Sequence, residues 1–575
     1  MSGEMHPSVL RRALRTPLVD LLRGRTVDGS ELATIVSTAG LPAPLTDLVR
    51  RATKRTRLWP AEQLDVAREL IAHFRDGLDS GETTDHLVDR FGDPERTAKL
   101  IRRARLRGRP LTSRAMRSAK LGLVFTAIPV LIVYAYLFVR LHATSPGLAS
   151  FHVPAFVSRS NSITEQIPDS ERAWPLYDAA AARVLGALEK SPGYDPEEPA
   201  SIQLQYRPGH DRWKHLVTLL GTVSTELGDV RKAALGMRLG FELEVNPEEE
   251  WLWLEESRPV EVFQFLPHVL EADTFRALVE GDGKTAHSNV ATLIGMSRHA
   301  RGVAPYFHWD GLGFAILYRA VDTLKAVLAQ APELLSSDEL RDLSHRFAAL
   351  GGREAFRWQT EGDREAARLW WGRLYSGVDG DKATITKEGL ERLRRGLWSE
   401  SPTQMAVVDS KLLAPALPLL IANRRELKKK AHSLFEEVDT QLDRPFWRRE
   451  NVAAFRWIPR NTVEAVRYLP FLYVFPFVGP KDDELTLGKR DAALVILALE
   501  LYRRHHGGWP ETLEDLTPQL LPAVPMDRYD GQPLRYRVVE GRPLLYSIGS
   551  DGDDDGGKPR SEICDNDHDW VLWRP

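Results

Sequence analysis

The sequence predicts a mainly α-helical protein in four parts: a cytoplasmic helical bundle, one transmembrane helix, a large all-helical exported domain and a small C-terminal α+β domain. One apolar run is long enough to cross a bilayer, and apolar residues recur at helical spacing on both sides of it. Only the last hundred residues alternate as strands do. The predicted boundaries are residues 1–57 for short N-terminal helices, 58–110 for a helical module, 119–141 for the transmembrane helix, 150–480 for the exported domain and 483–575 for the α+β domain.

The apolar run extends from Leu121 to Val139 and contains no charged residue. A helix needs about 20 such residues to cross the hydrocarbon core of a bilayer. Pro129 in the middle of the run is tolerated in membrane helices. A buried core helix is the alternative, but core helices of this length usually carry polar residues. The run begins too late for a cleaved signal peptide, so the sequence favours an uncleaved signal-anchor.

Charge is distributed unevenly about this run. Up to Lys120 there are 23 Lys and Arg against 15 Asp and Glu, a net charge of +8, and the remainder holds 54 against 65, a net charge of −11. Between residues 102 and 120 there is no acidic residue, whereas Arg140 is the only Lys or Arg from there to Arg159. The positive-inside rule therefore predicts a single-pass protein of the cell inner membrane, with a cytoplasmic N-terminus and an extracytoplasmic C-terminus from about residue 141.

The basic run beside the membrane could bind nucleic acid or lipid. It has no aromatic residue to stack on bases, and it adjoins the apolar run, so anionic lipid headgroups are the expected partner and nucleic acid is not. The residues predicted to contact headgroups are Arg107, Arg109, Arg114, Arg117 and Lys120.

The segment before the basic run has clear helix signals. Pro60 suits a first helical position, and Leu64, Ala67, Ile71 and Phe74 are among the residues of one apolar stripe. Residues 66–105, with Phe-Gly-Asp-Pro at positions 91–94, resemble the small helical module that precedes membrane spans in bacterial permease-like and sensor-associated proteins. The resemblance implies a regulatory or interaction role rather than catalysis.

The region from 150 to 480 has the pattern of paired helices with Pro- and Gly-containing loops. Residues 273–302 resemble a helical hairpin, as does the pair at 314–350, but no fixed repeat length is found. Five tryptophans indicate an aromatic core or groove, with a core favoured: Trp251, Trp253, Trp358, Trp370 and Trp371.

Enzyme motifs in this region are incomplete. Gly283-Lys284-Thr285 ends like a phosphate-binding loop, but Leu278 occupies the position of the required first Gly, and the context is helical. His308 and Asp310 have no spaced partner that would complete a metal site. We therefore expect a non-enzymatic protein, with a hydrolase hidden in the helical domain as the alternative.

The C-terminal segment carries the most specific pattern. A helix ending at Gly507-Gly508 is followed by a proline-rich loop, and a strand pair then turns at Glu540-Gly541. With Trp509-Pro510, Asp527, Asp530-Gly531 and an acidic Gly-rich loop, this order resembles the globular domain of the major pseudopilin of bacterial type II secretion. A pilin, however, begins with its own membrane-inserting helix, whereas here about 340 residues intervene. The resemblance therefore implies a reused module rather than a fibre subunit.

The resemblance implies a structural Ca²⁺ in the acidic loop. The matching positions are Asp551, Asp555, Asp567 and Asp569, helped by carbonyls near Ile548, with Asp553 and Asp554 as neighbouring alternatives. Closely spaced carboxylates and carbonyls suit a hard cation, although a solvated acidic turn is the alternative. Because Cys564 is the only cysteine, an ion rather than an internal disulfide would secure the loop.

Taken together, these features predict a membrane protein with a non-catalytic binding or scaffolding ectodomain, related to secretion, that engages an unidentified envelope protein. The alternatives are an envelope hydrolase, which predicts a deep pocket where acids or His converge, and a transmembrane signalling protein, which predicts a cytoplasmic partner.

Overall fold

The computed structural model describes residues 29–108, 111–143, 155–243, 258–303, 307–376, 383–396, 415–449, 462–472, 482–558 and 569–575. Over these residues the chain is mainly helical, with one small antiparallel sheet near its C-terminus. The chain divides into two compact units, one ending at Tyr136 and the other beginning at Leu137.

The first unit is a bundle of short helices followed by a long one. The helices are α1 (Gly29–Ser37), α2 (Ala43–Thr56), α3 (Pro60–Asp79), α4 (Thr84–Phe91), α5 (Pro94–Gly108) and α6 (Leu111–Ala143), the last of which extends into the second unit. The predicted helix signals are confirmed: α3 begins at Pro60, α4 ends before Gly92 with φ of 73°, and Asp93 Oδ1 accepts the Glu95 amide at the start of α5. The apolar stripe of α3 is buried in the core of the bundle.

Helix α6 contains the apolar run. Among the described residues, its window Thr126–Ala143 is the one stretch long and apolar enough to span a membrane, and only 6% of that window is buried. Large apolar side chains are exposed around the helix, including Val130 (66%), Leu131 (64%) and Ile132 (63%). A soluble core helix would bury such side chains, so the exposed surface disagrees with the core-helix alternative.

The second unit begins as a stack of paired helices. They are α7 (Ala155–Glu165), α8 (Trp174–Leu188), α9 (Ala200–Gln203), α10 (Trp213–Thr222), α11 (Ser224–Gly236), α12 (Arg258–Glu280), α13 (Gly283–Arg301), α14 (Phe307–Gln330), α15 (Ser337–Ala348), α16 (Arg353–Phe356), α17 (Glu361–Leu374), α18 (Lys387–Gly396), α19 (Leu417–Leu420), α20 (Arg424–Leu442), α21 (Thr462–Arg467), α22 (Leu469–Leu472) and α23 (Asp482–His506). Short 3₁₀ turns lie at Asp169–Glu171, Phe446–Arg448 and Leu513–Leu516. The 3₁₀ turn at Asp169–Glu171 precedes α8, which begins at Trp174.

Of the two predicted hairpins, α12–α13 is present, because these consecutive helices pack against each other. The second is not: α14 and α15 both form, but α15 packs mainly on α23 and α13 rather than on α14. Helix α13 lies between α12 and α14 and also packs on α11. The approach of α13 to α11 depends on Gly295, where an added Cβ would overlap the Ala234 carbonyl oxygen. Trp358, Trp370 and Trp371 are buried in the core, as expected, whereas Trp251 and Trp253 lie outside the described residues.

The C-terminal sheet has the order β1–β2–β3, with β1 (Arg535–Val539), β2 (Arg542–Ser547) and β3 (Trp570–Trp573) all antiparallel to their neighbours. The predicted turn between β1 and β2 is confirmed, because Glu540 and Gly541 both have positive φ, as a tight hairpin requires. The third strand has no counterpart in the prediction, since WVLW is too short to show alternation.

A buried cluster of charges connects α23 to the elements around it. The Arg449 side chain is fully buried, and its guanidinium donates to both carboxylate oxygens of Asp483 at 2.8 Å. The neighbouring Glu484, also buried, receives hydrogen bonds from Arg353 and Arg528. Arginines from three parts of the second unit therefore pair with two acids, Asp483 and Glu484, at the start of α23.

We predict that Arg449→Met lowers the free energy of unfolding by about 3–5 kcal/mol, because it leaves Asp483 buried without its bidentate partner. Chemical denaturation of the full chain, followed by tryptophan fluorescence, measures the change. Arg341→Met is the control, since Arg341 pairs with Asp338 on the surface, where the cost is about 0–1 kcal/mol. Equal losses of unfolding free energy in the two variants would contradict the importance assigned to the Arg449–Asp483 pair.

Candidate functional site

A cavity of about 620 Å³ opens in the second unit between α8, α9, α12 and α14. This volume is within the range of small-molecule sites. The helices place apolar side chains on its walls, such as Leu185 of α8, Val262 of α12 and Ile316 of α14. The lining residues are Ala181, Leu185, Ala200, Ser201, Arg258, Glu261, Val262, Phe263, Gln264, Phe265, Pro267, His268, Leu312, Ala315, Ile316 and Arg319.

At one end of the cavity, the lining residue Arg319 is joined by Arg207 and Glu271, which are not themselves lining residues. Arg207 and Arg319 each donate to a different oxygen of Glu271, and the Arg207 guanidinium also lies 4.3 Å from the centre of the Phe275 ring. Burial lowers the pKa of Arg207, and the proximity of Arg319 lowers it further, against the opposing effect of Glu271. Because two positive groups share one carboxylate, this end has a net charge of +1.

His268 lies between this cluster and the cavity. Arg319 Nη2 donates to its Nε2 at 3.3 Å, which leaves the proton on Nδ1. Burial, helped by Arg319 and Arg207, lowers the His268 pKa to about 4, so the ring is neutral at pH 7. Its Nδ1 is buried and has no hydrogen-bond partner among the described residues. The imidazole therefore keeps one donor unused and adds no charge that would offset an anion.

The opposite end of the cavity has a different charge arrangement. Arg258 at the rim donates to Asp178 at 2.7 Å and to Glu261 at 3.2 Å. Here one positive group is shared by two acids, so this rim is not cationic. The cavity is thus positive only at the end formed by Arg207, Arg319 and Glu271. We call these three residues together with His268 the cationic end.

The arrangement suits ligand binding better than bond cleavage. In the described lining, no Ser, Thr or Cys is hydrogen-bonded to His268 as a nucleophile would be to its base. Glu271 is already paired with two guanidinium groups, so both of its carboxylate oxygens accept hydrogen bonds from arginine. The hydrolase alternative predicts a deep pocket where acids or His converge, and here His268 and Glu271 are both held by arginine side chains.

Sequence reasoning did not find the cationic end. Its four residues come from a loop and two helices, and their separation reaches 112 positions between Arg207 and Arg319. Only His268 and Glu271 share an element, three residues apart on α12. Each is ordinary in its local sequence, so no motif marks them.

The incomplete enzyme motifs have structural roles. Asp282 caps α13 by accepting the Thr285 amide and hydroxyl, and an added Cβ at Gly283 would overlap the Leu334 carbonyl. The stretch that resembles a phosphate loop is therefore a helix start packed against another segment. Asp310 is buried and accepts hydrogen bonds from Arg301 and from the Gln359 amide, which fixes it in the core.

The residues predicted to bind Ca²⁺ are only partly brought together. Asp551, Asp553 and Asp555 are exposed, Ile548 is buried, and Asp567 lies outside the described residues. In the described part of the chain, no three His, Cys, Asp or Glu residues are grouped as a metal site. Asp569 is buried; its Oδ2 accepts the Gly557 amide at 2.6 Å, while Oδ1 has no hydrogen-bond partner among the described residues. This free carboxylate oxygen lies next to the acidic loop and could serve as a ligand for a cation.

Asp554, a neighbouring acid, is hydrogen-bonded to the sheet and within the loop. Its Oδ1 accepts the Tyr546 hydroxyl and the Gly556 amide, both at 3.0 Å, and its other oxygen lies 3.9 Å from Arg535. Asp551 Oδ1 accepts the Asp553 amide at 3.2 Å. The loop is therefore held partly by its own carboxylates.

The residues predicted to contact headgroups lie around the junction of α5 and α6. Arg107 is exposed near the end of α5. Arg114, Arg117 and Lys120 occupy the first turns of α6, and Arg109 lies outside the described residues. The headgroup contacts remain a prediction.

Comparison of this chain with protein-family models, with curated proteins and with solved structures finds no match. The case for function therefore depends on the geometry of the chain itself.

His299 of α13 is a second buried histidine, away from the cavity lining. Its Nε2 lies 3.2 Å from the Met237 carbonyl, to which it must donate, so Nδ1 accepts the Tyr177 hydroxyl at 3.0 Å. Burial, with a smaller effect of Arg298, lowers the His299 pKa to about 4. The ring therefore stays neutral in the folded state at pH values where an unfolded histidine takes up a proton.

We predict that the protein loses stability as the pH falls from about 6.5 to about 4, partly through His299, because the unfolded state binds the proton first. The variant His299→Gln keeps a hydrogen-bond donor and an acceptor but does not titrate. Over this pH range the variant should therefore lose less unfolding free energy than the parent chain, by up to about 1.4 kcal/mol per pH unit. Denaturation at pH 7 and pH 5 measures the difference. His432→Gln, at an exposed site, should leave the pH dependence unchanged.

Proposed function

We propose that the protein is a single-pass membrane-anchored binding protein. Helices α1 to α5 lie in the cytoplasm, the apolar part of α6 crosses the membrane, and the chain beyond α6 binds a ligand outside the membrane, in the cavity between α8, α9, α12 and α14. The observation that carries the anchoring is the exposure of nearly all of the apolar Thr126–Ala143 window. An exposed helix of this composition is stable in lipid, whereas in water its apolar surface promotes aggregation.

The proposed orientation is supported by charge. The stretch from residue 102 to residue 120 is basic without any acid, and the chain after the apolar run is net acidic. Arginine and lysine close to a transmembrane helix are retained on the cytoplasmic side. The small bundle before the run then remains in the cytoplasm, where its resemblance to modules of permease-like and sensor-associated proteins favours an interaction role.

The binding role is supported by the cavity. Apolar walls with a few charged groups at one end are typical of ligand sites. The paired state of Glu271 and the neutral state of His268 favour binding over general acid–base chemistry. An envelope protein remains the expected macromolecular partner.

We predict that Leu131→Arg with Ile132→Arg moves the chain from the membrane to the soluble or aggregated fraction, because each Arg near the helix centre opposes insertion by about 2.5–3.5 kcal/mol. Carbonate extraction of bacterial membranes measures the distribution. The control is Ile163→Arg with Ile202→Arg, two exposed isoleucines (51% and 45%) outside the apolar run, which should leave the chain in the membrane. A phosphatase reporter should be active after Pro575 and inactive after Gly108; the reverse pattern would contradict the orientation.

A second proposal concerns the C-terminal segment, where α23, a proline-containing loop, three strands and an acidic loop follow one another in the pseudopilin order. We propose a pseudopilin-like module, reused in a secretion-related role, with one structural Ca²⁺. The free Oδ1 of buried Asp569 favours it. The ion would be held by Asp569 with Asp551, Asp555 and Asp567, and it would fix the acidic loop to the sheet.

We predict that millimolar Ca²⁺ raises the unfolding temperature of the full chain relative to chelator, because a ligand at about 100 times its Kd stabilises the folded state by about 2.7 kcal/mol. Asp569→Asn removes the charge of the ligand with little change in shape and should abolish the increase. Glu511→Gln, an exposed acid of the same segment, should preserve it. If the parent chain shows no shift, the acidic loop is a solvated turn.

A further inference from the structure

We infer that the cavity of the second unit binds an amphipathic monoanion: a long apolar chain ending in a single carboxylate, which is held at the cationic end. This inference rests on the proposed binding function and specifies its ligand class. It follows from the shape of the cavity, from the distribution of charge along it and from the hydrogen-bond donors left at one end.

The lining of the cavity is mostly apolar and extends along α12. It includes Arg258 and His268, which are ten residue steps apart and therefore about 15 Å apart along the helix at 1.5 Å per residue. Its walls along this length include Leu185, Val262 and Ile316. About 15 Å is also half of the hydrocarbon thickness of a bilayer, which is the length that the chains of one lipid leaflet fill. The walls therefore match an extended acyl chain better than a compact polar metabolite.

The charge at one end selects the head of the ligand. Arg207 and Arg319 share Glu271, so one positive charge is left uncompensated, and neutral His268 does not change that balance. A single negative charge restores neutrality there. A phosphate dianion would leave an excess negative charge at this end, and a cationic head group would add to the positive charge already there. Charge complementarity therefore favours a carboxylate monoanion.

Donors for that carboxylate are available at Arg319. Among the described residues its guanidinium donates to Glu271 and to His268, which uses two of its five N–H groups. Its side chain is 27% exposed and lines the cavity, so a ligand can reach the remaining N–H groups. Charge-assisted hydrogen bonds from a guanidinium to a carboxylate are among the strongest that proteins form.

The direction of the ligand follows from these groups. The opposite rim, where Arg258 is shared by Asp178 and Glu261, carries an excess of negative charge and repels a carboxylate. The chain therefore enters with its carboxylate next to Arg319 and its methyl end toward Arg258. The exposed Ala315 lies on the wall between the two ends.

The test uses the full chain in phosphatidylcholine nanodiscs, with empty nanodiscs as the reference for partitioning into lipid. Binding is measured with three radiolabelled probes of equal chain length: dodecanoate, dodecan-1-ol and dodecyltrimethylammonium. We expect dodecanoate to bind at one site per chain, with a Kd at least about tenfold below that of either other probe, since a hydrogen bond to a charged group contributes that much or more.

Three variants separate the contributions of the head and the chain. Arg319→Gln removes the free charge while Arg207 still pairs with Glu271, and it should weaken dodecanoate binding about tenfold or more without affecting dodecan-1-ol. Ala315→Trp narrows the cavity without touching the cationic end, and it should weaken every probe that binds. Arg341→Gln, which removes a surface arginine of α15 paired with Asp338, should change nothing.

The outcomes distinguish this inference from the function on which it rests. If dodecan-1-ol binds as tightly as dodecanoate and Ala315→Trp weakens both, the cavity binds apolar chains, so the proposed binding function stands and the carboxylate preference is overturned. If none of the probes binds above empty nanodiscs, both the ligand class and the use of this cavity are overturned. Unchanged dodecanoate binding in Arg319→Gln would overturn the role assigned to the cationic end.

Discussion

Arg449 is the residue on which the organisation of the second unit depends most. Its guanidinium is completely buried and is neutralised by Asp483. The neighbouring Glu484 accepts hydrogen bonds from Arg353 of α16 and from Arg528 of the loop before β1. Charges removed from water in this way are tolerated only when every partner is in place. The cluster therefore requires the helical region, α23 and the loop before the sheet to pack in one relative position. Other packing arrangements, which a purely apolar contact would tolerate, would leave buried charges without partners.

The same constraint explains why the C-terminal segment is continuous with the helices before it. Helix α23 packs on α14 and α15 and also contacts β3, and one apolar core extends from Leu141 to Trp573. At Gly531, φ is 74°, and an added Cβ would lie 2.6 Å from the ring of Trp447, so the turn before β1 fits directly against the 3₁₀ turn after α20. Buried Asp527 then fixes that turn to the sheet by accepting the Ser547 hydroxyl and the Ile548 amide.

The cavity shows how a paired-helix stack produces a site without a motif. Helices α8, α12 and α14 each contribute apolar side chains to the lining of the cavity. The charged residues that give the space its polarity are secured by contacts outside it, such as the stacking of Arg207 on Phe275. Such a cavity is suited to holding an apolar ligand that water dissolves poorly.

The sequence by itself determined the features that depend on local pattern. The apolar run from Leu121 to Val139, the start of α3 at Pro60, the end of α4 at Gly92, the hairpin α12–α13 and the turn at Glu540-Gly541 all follow from periodicity, capping and backbone preference within a few residues. Tertiary structure alone decided the cavity, the pairing of Arg207 and Arg319 with Glu271, and the burial of Arg449 with Asp483. The physical reason is that these features join residues distant in the chain, whose charge and hydrogen-bonding partners are set by helix packing, and an arginine destined for a buried pair looks the same in sequence as one destined for solvent.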